Sequence, residues 1–160
     1  MTTEQHHGFV ISLYISPKAG APMQTVEQVA AIAGRGLEGD RYFLSDATKS
    51  TGAEPGQQVT LIEAEALEVL RRDFGVDLDA AESRRNIATR GISLDDLVGR
   101  TFRIGEAELV GVETCEPCAH MTQLSGKNGT RALRGLVHRV GLRAEITVGG
   151  TIRVGDRVEG

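Results

Sequence analysis

Hydrophobic and polar positions alternate with period two along several short stretches of the chain. Residues 8–15 place Phe9, Ile11, Leu13 and Ile15 on one side, the signature of a half-buried strand. Residues 101–104 and 107–113 form two more such runs around Gly105-Glu106, a two-residue hairpin turn with glycine first. Near the end of the chain Leu142, Ala144, Ile146 and Val148 alternate with Arg143, Glu145 and Thr147. Gly149-Gly150 and Gly155-Asp156 then turn the chain through 151–154 towards Val158. Residues 26–33 fit a strand or a short helix equally.

Helical periodicity is scarcer. After Gln58-Val59-Thr60 the pattern predicts a helix started by a Thr60–Glu63 capping box, with Ile62, Ala66, Leu70 and Phe74 on one face and Gly75 at its end. Asp79 and Glu82 offer a second capping box. Residues 93–99 read as one capped turn closed by Gly99, and 119–124 and 130–139 as short helices around the glycine-rich loop 125–129. Residues 45–57, rich in Ser, Thr, Gly, Pro and charge, read as a mobile surface loop. Many short strands, glycine turns and few helices predict a mainly β domain with a β-barrel core. At 160 residues the chain suits a single domain, 1–160, its core spanning about 9–158.

Composition narrows the function. A net charge of -4 argues against general nucleic-acid binding. No apolar run reaches the roughly 18–20 residues a membrane span needs, and the start has no basic region followed by an apolar one, so a cytoplasmic protein without a membrane partner is expected. Of the 18 basic residues only Lys18, Lys49 and Lys127 are lysine. Guanidinium forks match phosphate and carboxylate, but GC-rich coding enriches arginine as well, so only clustering counts.

Three clusters carry candidate chemistry. Cys115 and Cys118 are the only cysteines. A structural zinc site needs four ligands, and neither a second cysteine pair nor a His spacing involving His120 and His138 supplies them. A thioredoxin-like pair needs a βαβ setting that the pattern does not offer. Cys115 is balanced between a packed thiol and a functional one. Cys118 precedes the helix expected at 119–124, whose N-terminal partial charge would lower its thiol pKa. The second cluster, residues 84–91, interleaves Asn86, Thr89 and Gly91 with Arg84, Arg85 and Arg90, either as an anion-binding loop or as a solvated charged end. Gly39-Asp40-Arg41 is the third, a turn with Asp40 bonding local backbone.

In this order the segments resemble the MOSC family, the domain first known as the C-terminal part of molybdenum cofactor sulfurases. The resemblance rests on Gly36-Leu37-Glu38-Gly39-Asp40-Arg41-Tyr42, Gln58-Val59-Thr60-Leu61-Ile62-Glu63, Arg85-Asn86-Ile87-Ala88-Thr89-Arg90-Gly91 and Leu97-Val98-Gly99-Arg100. Glu116-Pro117-Cys118 and Gly149-Gly150-Thr151-Ile152-Arg153-Val154-Gly155-Asp156 complete it. It implies a β-barrel and a functional cysteine at Cys118, which ligates the molybdenum of a pyranopterin cofactor in amidoxime-reducing members. It further implies that Arg85, Asn86, Thr89 and Arg90 hold the cofactor, and that Asp40 and Arg41 line the cleft.

Two activities follow from the resemblance. One is reduction of N-hydroxylated small molecules with electrons from a separate reductase. The other is a sulfur-carrier role, in which Cys118 takes a persulfide from a cysteine desulfurase. The additional N-terminal barrel of the longer amidoxime-reducing enzymes is not expected in 160 residues, so a homodimer partner or another subunit is expected to close the cleft. Nor is the aminotransferase-like domain of full-length sulfurases expected, and no pyridoxal phosphate site is expected in this chain.

Overall fold

The computed structural model describes residues 7–18, 21–41, 43, 58–75, 79–114 and 141–160. The surface loop expected at 45–57, both cysteines, His120, and the helices and loop expected between 119 and 139 lie outside the described residues, as does the side chain of Phe74.

The strands, in chain order, are β1 (His7–Ile15), β2 (Gln24–Val26), β3 (Gln28–Ile32), β4 (Gly36–Leu37), β5 (Val59–Glu63), β6 (Ile87–Arg90), β7 (Thr101–Ile104), β8 (Ala107–Thr114), β9 (Leu142–Val148), β10 (Gly150–Arg153) and β11 (Arg157–Glu159). One helix, α1 (Ala64–Phe74), joins β5 to β6, and a 3-10 turn (Leu94–Leu97) follows β6. The main sheet runs β11-β7-β8-β9-β5-β6-β1, and β1 returns to pair with β11, which closes a seven-stranded mixed barrel. Closure leaves no free edge around the ring. β2 extends from the second half of β1, and β10-β3-β4 form a separate sheet packed on the same core.

The barrel interior is filled by Leu13, Leu61, Ile87, Phe102, Ile104, Leu109, Leu142 and Ile146, all fully buried. Leu142 and Ile146 are among them and Ala144 is buried between them, as alternation along β9 required, whereas Val148, the fourth residue of that run, is 49% exposed at the strand's end. The hairpin around Gly105-Glu106 also forms as expected, pairing Ile104 with Ala107 and Thr101 with Val110. The residues at 26–33 resolve as a strand, β3.

Other local expectations change. In β1 the inward residues are Val10 and Leu13, whereas Phe9 and Ile11 are 46% and 40% exposed. The pairing of β1 with β6 shifts between Val10 and Ser12, and that bulge inserts one residue and reverses the alternation midway. The Thr60–Glu63 capping box does not form, because both residues belong to β5 and the helix begins only at Ala64. Thr60 bonds Asn86 instead, and Glu63 Oε2 accepts the Leu94 N–H at 3.1 Å.

The 3-10 turn likewise lacks a Ser93 side-chain cap, and its first N–H is served from outside by Glu63. Finally, β5, α1 and β6 form a parallel βαβ crossover that the strand-rich pattern concealed. The segment from Cys115 on follows β8 and not this unit, so thioredoxin-like chemistry gains nothing from it. By contrast, the reciprocal Asp79–Glu82 bonds do form, with Glu82 N–H to Asp79 Oδ1 at 2.7 Å and Asp79 N–H to Glu82 Oε1 at 3.2 Å. They close a turn instead of starting a helix.

The 3-10 turn packs onto β8 at Gly111. A Cβ there would overlap the Leu97 carbonyl, with Leu97 C at 2.8 Å and Val98 Cα at 3.2 Å. Gly111→Ala is therefore expected to lower the unfolding free energy by about 2–3 kcal/mol, because backbone on both sides must shift. Urea unfolding of the two chains measures it, and a midpoint unchanged from wild type would mean the turn moves away freely.

Candidate functional site

β1 ends at Ile15 and leads into Ser16, whose N–H donates to Asp40 Oδ1 at 2.9 Å. Asp40 sits in the turn after β4, where its N–H donates to the Leu37 carbonyl at 3.0 Å. The same Oδ1 is 3.0 Å from Arg41 Nη1, and the two side chains are 0% and 8% exposed. Charge burial on this scale requires pairing, and this pair has it.

Arg41 then reaches across the fold. Its Nη2 donates to the Arg84 carbonyl at 2.9 Å, and its Nη1 lies 3.4 Å from Met23 Sδ. Arg84 answers with Nη1 donating to the Ala21 carbonyl at 2.9 Å, an oxygen also 2.9 Å from Ser16 Oγ. The third and second clusters of the sequence thus meet in one network linking the segments 16–23, 40–41 and 84–86.

Arg84 has φ 61, and no other described non-glycine residue has a positive φ. This left-handed conformation costs an arginine about 1–2 kcal/mol, which bonds through its carbonyl and guanidinium can offset. Next to it, Arg85 is buried at 7% exposure, its N–H donating to Ser83 Oγ at 3.4 Å.

Asn86 is fully buried and bonded on every side. Its Oδ1 accepts the Thr60 N–H at 3.0 Å and the Thr60 hydroxyl at 3.1 Å, and its Nδ2 donates to the Tyr14 carbonyl at 3.1 Å. Its backbone N–H donates to Thr60 O at 3.0 Å and its carbonyl accepts from Tyr14 N at 2.8 Å. Asn86 therefore ties β1 and β5 to the start of β6, which is an architectural task.

Thr89 and Arg90 lie at the other end of β6. Thr89 is fully buried in the wall, its Oγ1 at 3.5 Å from the Ile62 carbonyl. Arg90 pairs in register with Phe9 and hydrogen-bonds Glu68 on α1, roughly 15 Å along the strand from Arg85. The structure does not bring these two residues to Asp40 and Arg41. Its contacts also add Ser16, Arg84 and Thr60 to the network. Ser16 and Thr60 carry no sequence signal for this, and Arg84 has only its place in the basic run.

The Arg90 guanidinium beside Glu68 holds that carboxyl below its ordinary value. A folded-state pKa depressed in this way contributes stability above the unfolded carboxylate value of 4.5 and loses it as pH falls through the lower folded value. Glu68→Gln is expected to flatten part of the stability decline below that pH. Urea midpoints measured from pH 6 to pH 3 test it, an unchanged slope counting against the pair.

The register also relates the network to the segment from Cys115 on. Thr114 pairs with Leu142, Leu142 with Leu61, and Leu61 with Ile87, the residue after Asn86. The residue preceding Cys115 in the chain is thus on one rung with the start of β6, three strands or roughly 14 Å away. Among the described residues no group of three or more His, Cys, Asp or Glu could hold a metal ion. No helix among them is long and apolar enough to cross a membrane.

Residues 48–159 match the family model of the MOSC domain. The fold is similar to the crystal structure of the YUAD protein from Bacillus subtilis, with a TM-score of 0.81 at 17% identity over 98% of this chain and 96% of that one. It is also similar to YiiM from Geobacillus stearothermophilus, with a TM-score of 0.69 at 13% identity over 96% and 75% of the two chains. For YiiM from Escherichia coli the TM-score is 0.63 at 18% identity over 94% and 68%. No curated protein matches the chain.

Proposed function

From the premise that the chain belongs to the MOSC domain family, we propose that it binds molybdenum cofactor through the Cys118 thiolate and reduces N-hydroxylated small molecules. The observation that carries the reading is the joining of Asp40-Arg41 to Arg84-Arg85 in one buried network. Arg41 and Arg84 bring their guanidiniums to this corner, Arg85 follows them buried in the chain, and the carboxylate of Asp40 is turned inward to Ser16 and Arg41. The acids of the adjoining turn, Asp79 and Glu82, cap each other's backbone.

The residues present therefore fit a phosphate-bearing anion in charge and donor type. Arg85 is the residue that would hold the cofactor's phosphate, with Arg41 and Arg84 setting the loops on which it stands. Cys118 would supply the metal ligand, a soft thiolate suited to such a centre. The chemistry a bound molybdenum centre supplies is two-electron removal of oxygen from the substrate, with electrons returned by a separate reductase.

Molybdenum and pterin content of the chain purified from a cofactor-competent host tests the reading. Stoichiometric metal that is lost in Cys118→Ala and retained in Cys115→Ala is the expected result. Metal-free protein that gains a persulfide on Cys118 from a cysteine desulfurase would assign the chain to sulfur transfer instead. Loss of metal in Cys115→Ala alone would move the ligand to that residue.

A further inference from the structure

We infer that Arg84 is a positioning residue: its left-handed backbone, more than its charge, sets the direction in which Arg85 meets a phosphate group. The inference rests on the reading of Arg85 given above. Arg85 stands between two residues whose conformations are fixed from outside. On its C-terminal side, Asn86 is bonded through backbone and side chain to Thr60 and Tyr14. On its N-terminal side, Arg84 is held at φ 61 by its own N–H to the Ala81 carbonyl at 3.0 Å and by two contacts at 2.9 Å, its carbonyl to Arg41 and its guanidinium to Ala21.

The last two come from different segments, so tertiary structure acts with the turn in setting the direction of the Arg84–Arg85 peptide. Local preference opposes it, since an L-residue with a long side chain disfavours this conformation. Strain of this kind persists only where surrounding contacts over-determine it. Here the turn bond to Ala81 and the contacts to Arg41 and Ala21 do so together. Returning residue 84 to a negative φ would turn the following peptide and carry Arg85 away from the direction that Asn86 and Arg84 jointly impose.

Two substitutions separate backbone from charge. Arg84→Asn and Arg84→Val both lose the guanidinium bond to Ala21, but asparagine tolerates the left-handed region and the β-branched valine resists it. Inorganic pyrophosphate titrated calorimetrically into the full-length chain is the probe, with Arg85→Ala as the control for the contact. Pyrophosphate is expected to bind Arg84→Asn within about twofold of wild type and Arg84→Val about tenfold more weakly, with binding lost in Arg85→Ala.

Equal affinities for the asparagine and valine variants would overturn the inference and leave the reading of Arg85 intact. If wild type does not bind, or Arg85→Ala binds as wild type does, the reading of Arg85 fails and the inference with it. Should the valine variant not fold, Arg84→Ala against Arg84→Asn makes the same comparison. Affinities are compared at a temperature well below the melting point of every variant, as thermal melts define it, because a purely structural role would leave the folded asparagine and valine variants with equal affinity there.

Discussion

Replacing Asn86 with alanine is expected to lower the unfolding free energy by about 3–5 kcal/mol and the melting temperature by roughly 10–15 °C. The side chain is fully buried and makes three hydrogen bonds that nothing else can replace. Alanine would leave the Thr60 N–H and the Tyr14 carbonyl buried without these partners. Each such orphan costs about 1–3 kcal/mol, and the cavity adds to that. The Thr60 hydroxyl fares better, because it still accepts the Asn86 backbone N–H at 3.1 Å.

Thr60→Val should therefore cost less, about 1–2 kcal/mol, and the double variant less than the sum of the two, because both act on one network. Chemical denaturation of the four chains gives the coupling directly. Additive losses, or a loss below 1 kcal/mol for Asn86→Ala, would show that water or a local shift replaces the amide.

Asn86 also shows why the sequence discloses some features and conceals others. Its place among arginines suggested a group facing a ligand, whereas the structure uses it to bond three strands. Side-chain type and neighbours in sequence cannot distinguish these roles, because the Tyr14 and Thr60 partners are 72 and 26 residues away. Thr60 and Glu63 illustrate the same limit. Their spacing is that of a capping box, but tertiary partners, Asn86 and Leu94, take both side chains while the residues extend as a strand.

Where burial alone decides, the pattern reads through. Leu142, Ala144 and Ile146 alternate and are buried, and the hairpin around Gly105 pairs as its turn requires. Phe9 and Ile11 break this rule because a bulge adds one residue to β1, which period-two reasoning cannot anticipate. The βαβ crossover stayed hidden for a related reason. Whether β5 and β6 pair in parallel depends on how α1 packs back, and periodicity within each element carries no such information.

The candidate site divides along the same line. In the sequence Gly39-Asp40-Arg41 is one turn and residues 84–91 another loop, and only the fold brings them together, with Arg41 donating to the Arg84 carbonyl. Arg90 carried the same chemical signal as Arg85, but β6 places the two at opposite ends and Glu68 engages Arg90.

That junction makes Asp40 the second position of large effect. Asp40→Ala is expected to cost about 3–5 kcal/mol, because it removes the carboxylate paired with the Arg41 guanidinium in a site where the arginine side chain is only 8% exposed. It also removes the acceptor for the Ser16 N–H. Asp40→Asn keeps an oxygen for Ser16 while discarding the charge, so about half the loss should return, and the difference between the two variants isolates the charge on Arg41. A cycle with Arg41→Met should give a coupling of about 2 kcal/mol, since the methionine variant has no buried cation left to lose its carboxylate.

The consequence extends past stability. Arg41 released from Asp40 no longer has a fixed direction for its bond to the Arg84 carbonyl, and residues 84–86 lose the contact that joins them to the 40–41 turn. Asp40→Asn should therefore weaken pyrophosphate binding at temperatures well below its melting point, even though residue 40 itself would not touch the anion. Equal affinity for wild type and Asp40→Asn, measured where both are folded, would limit Asp40 to holding the turn.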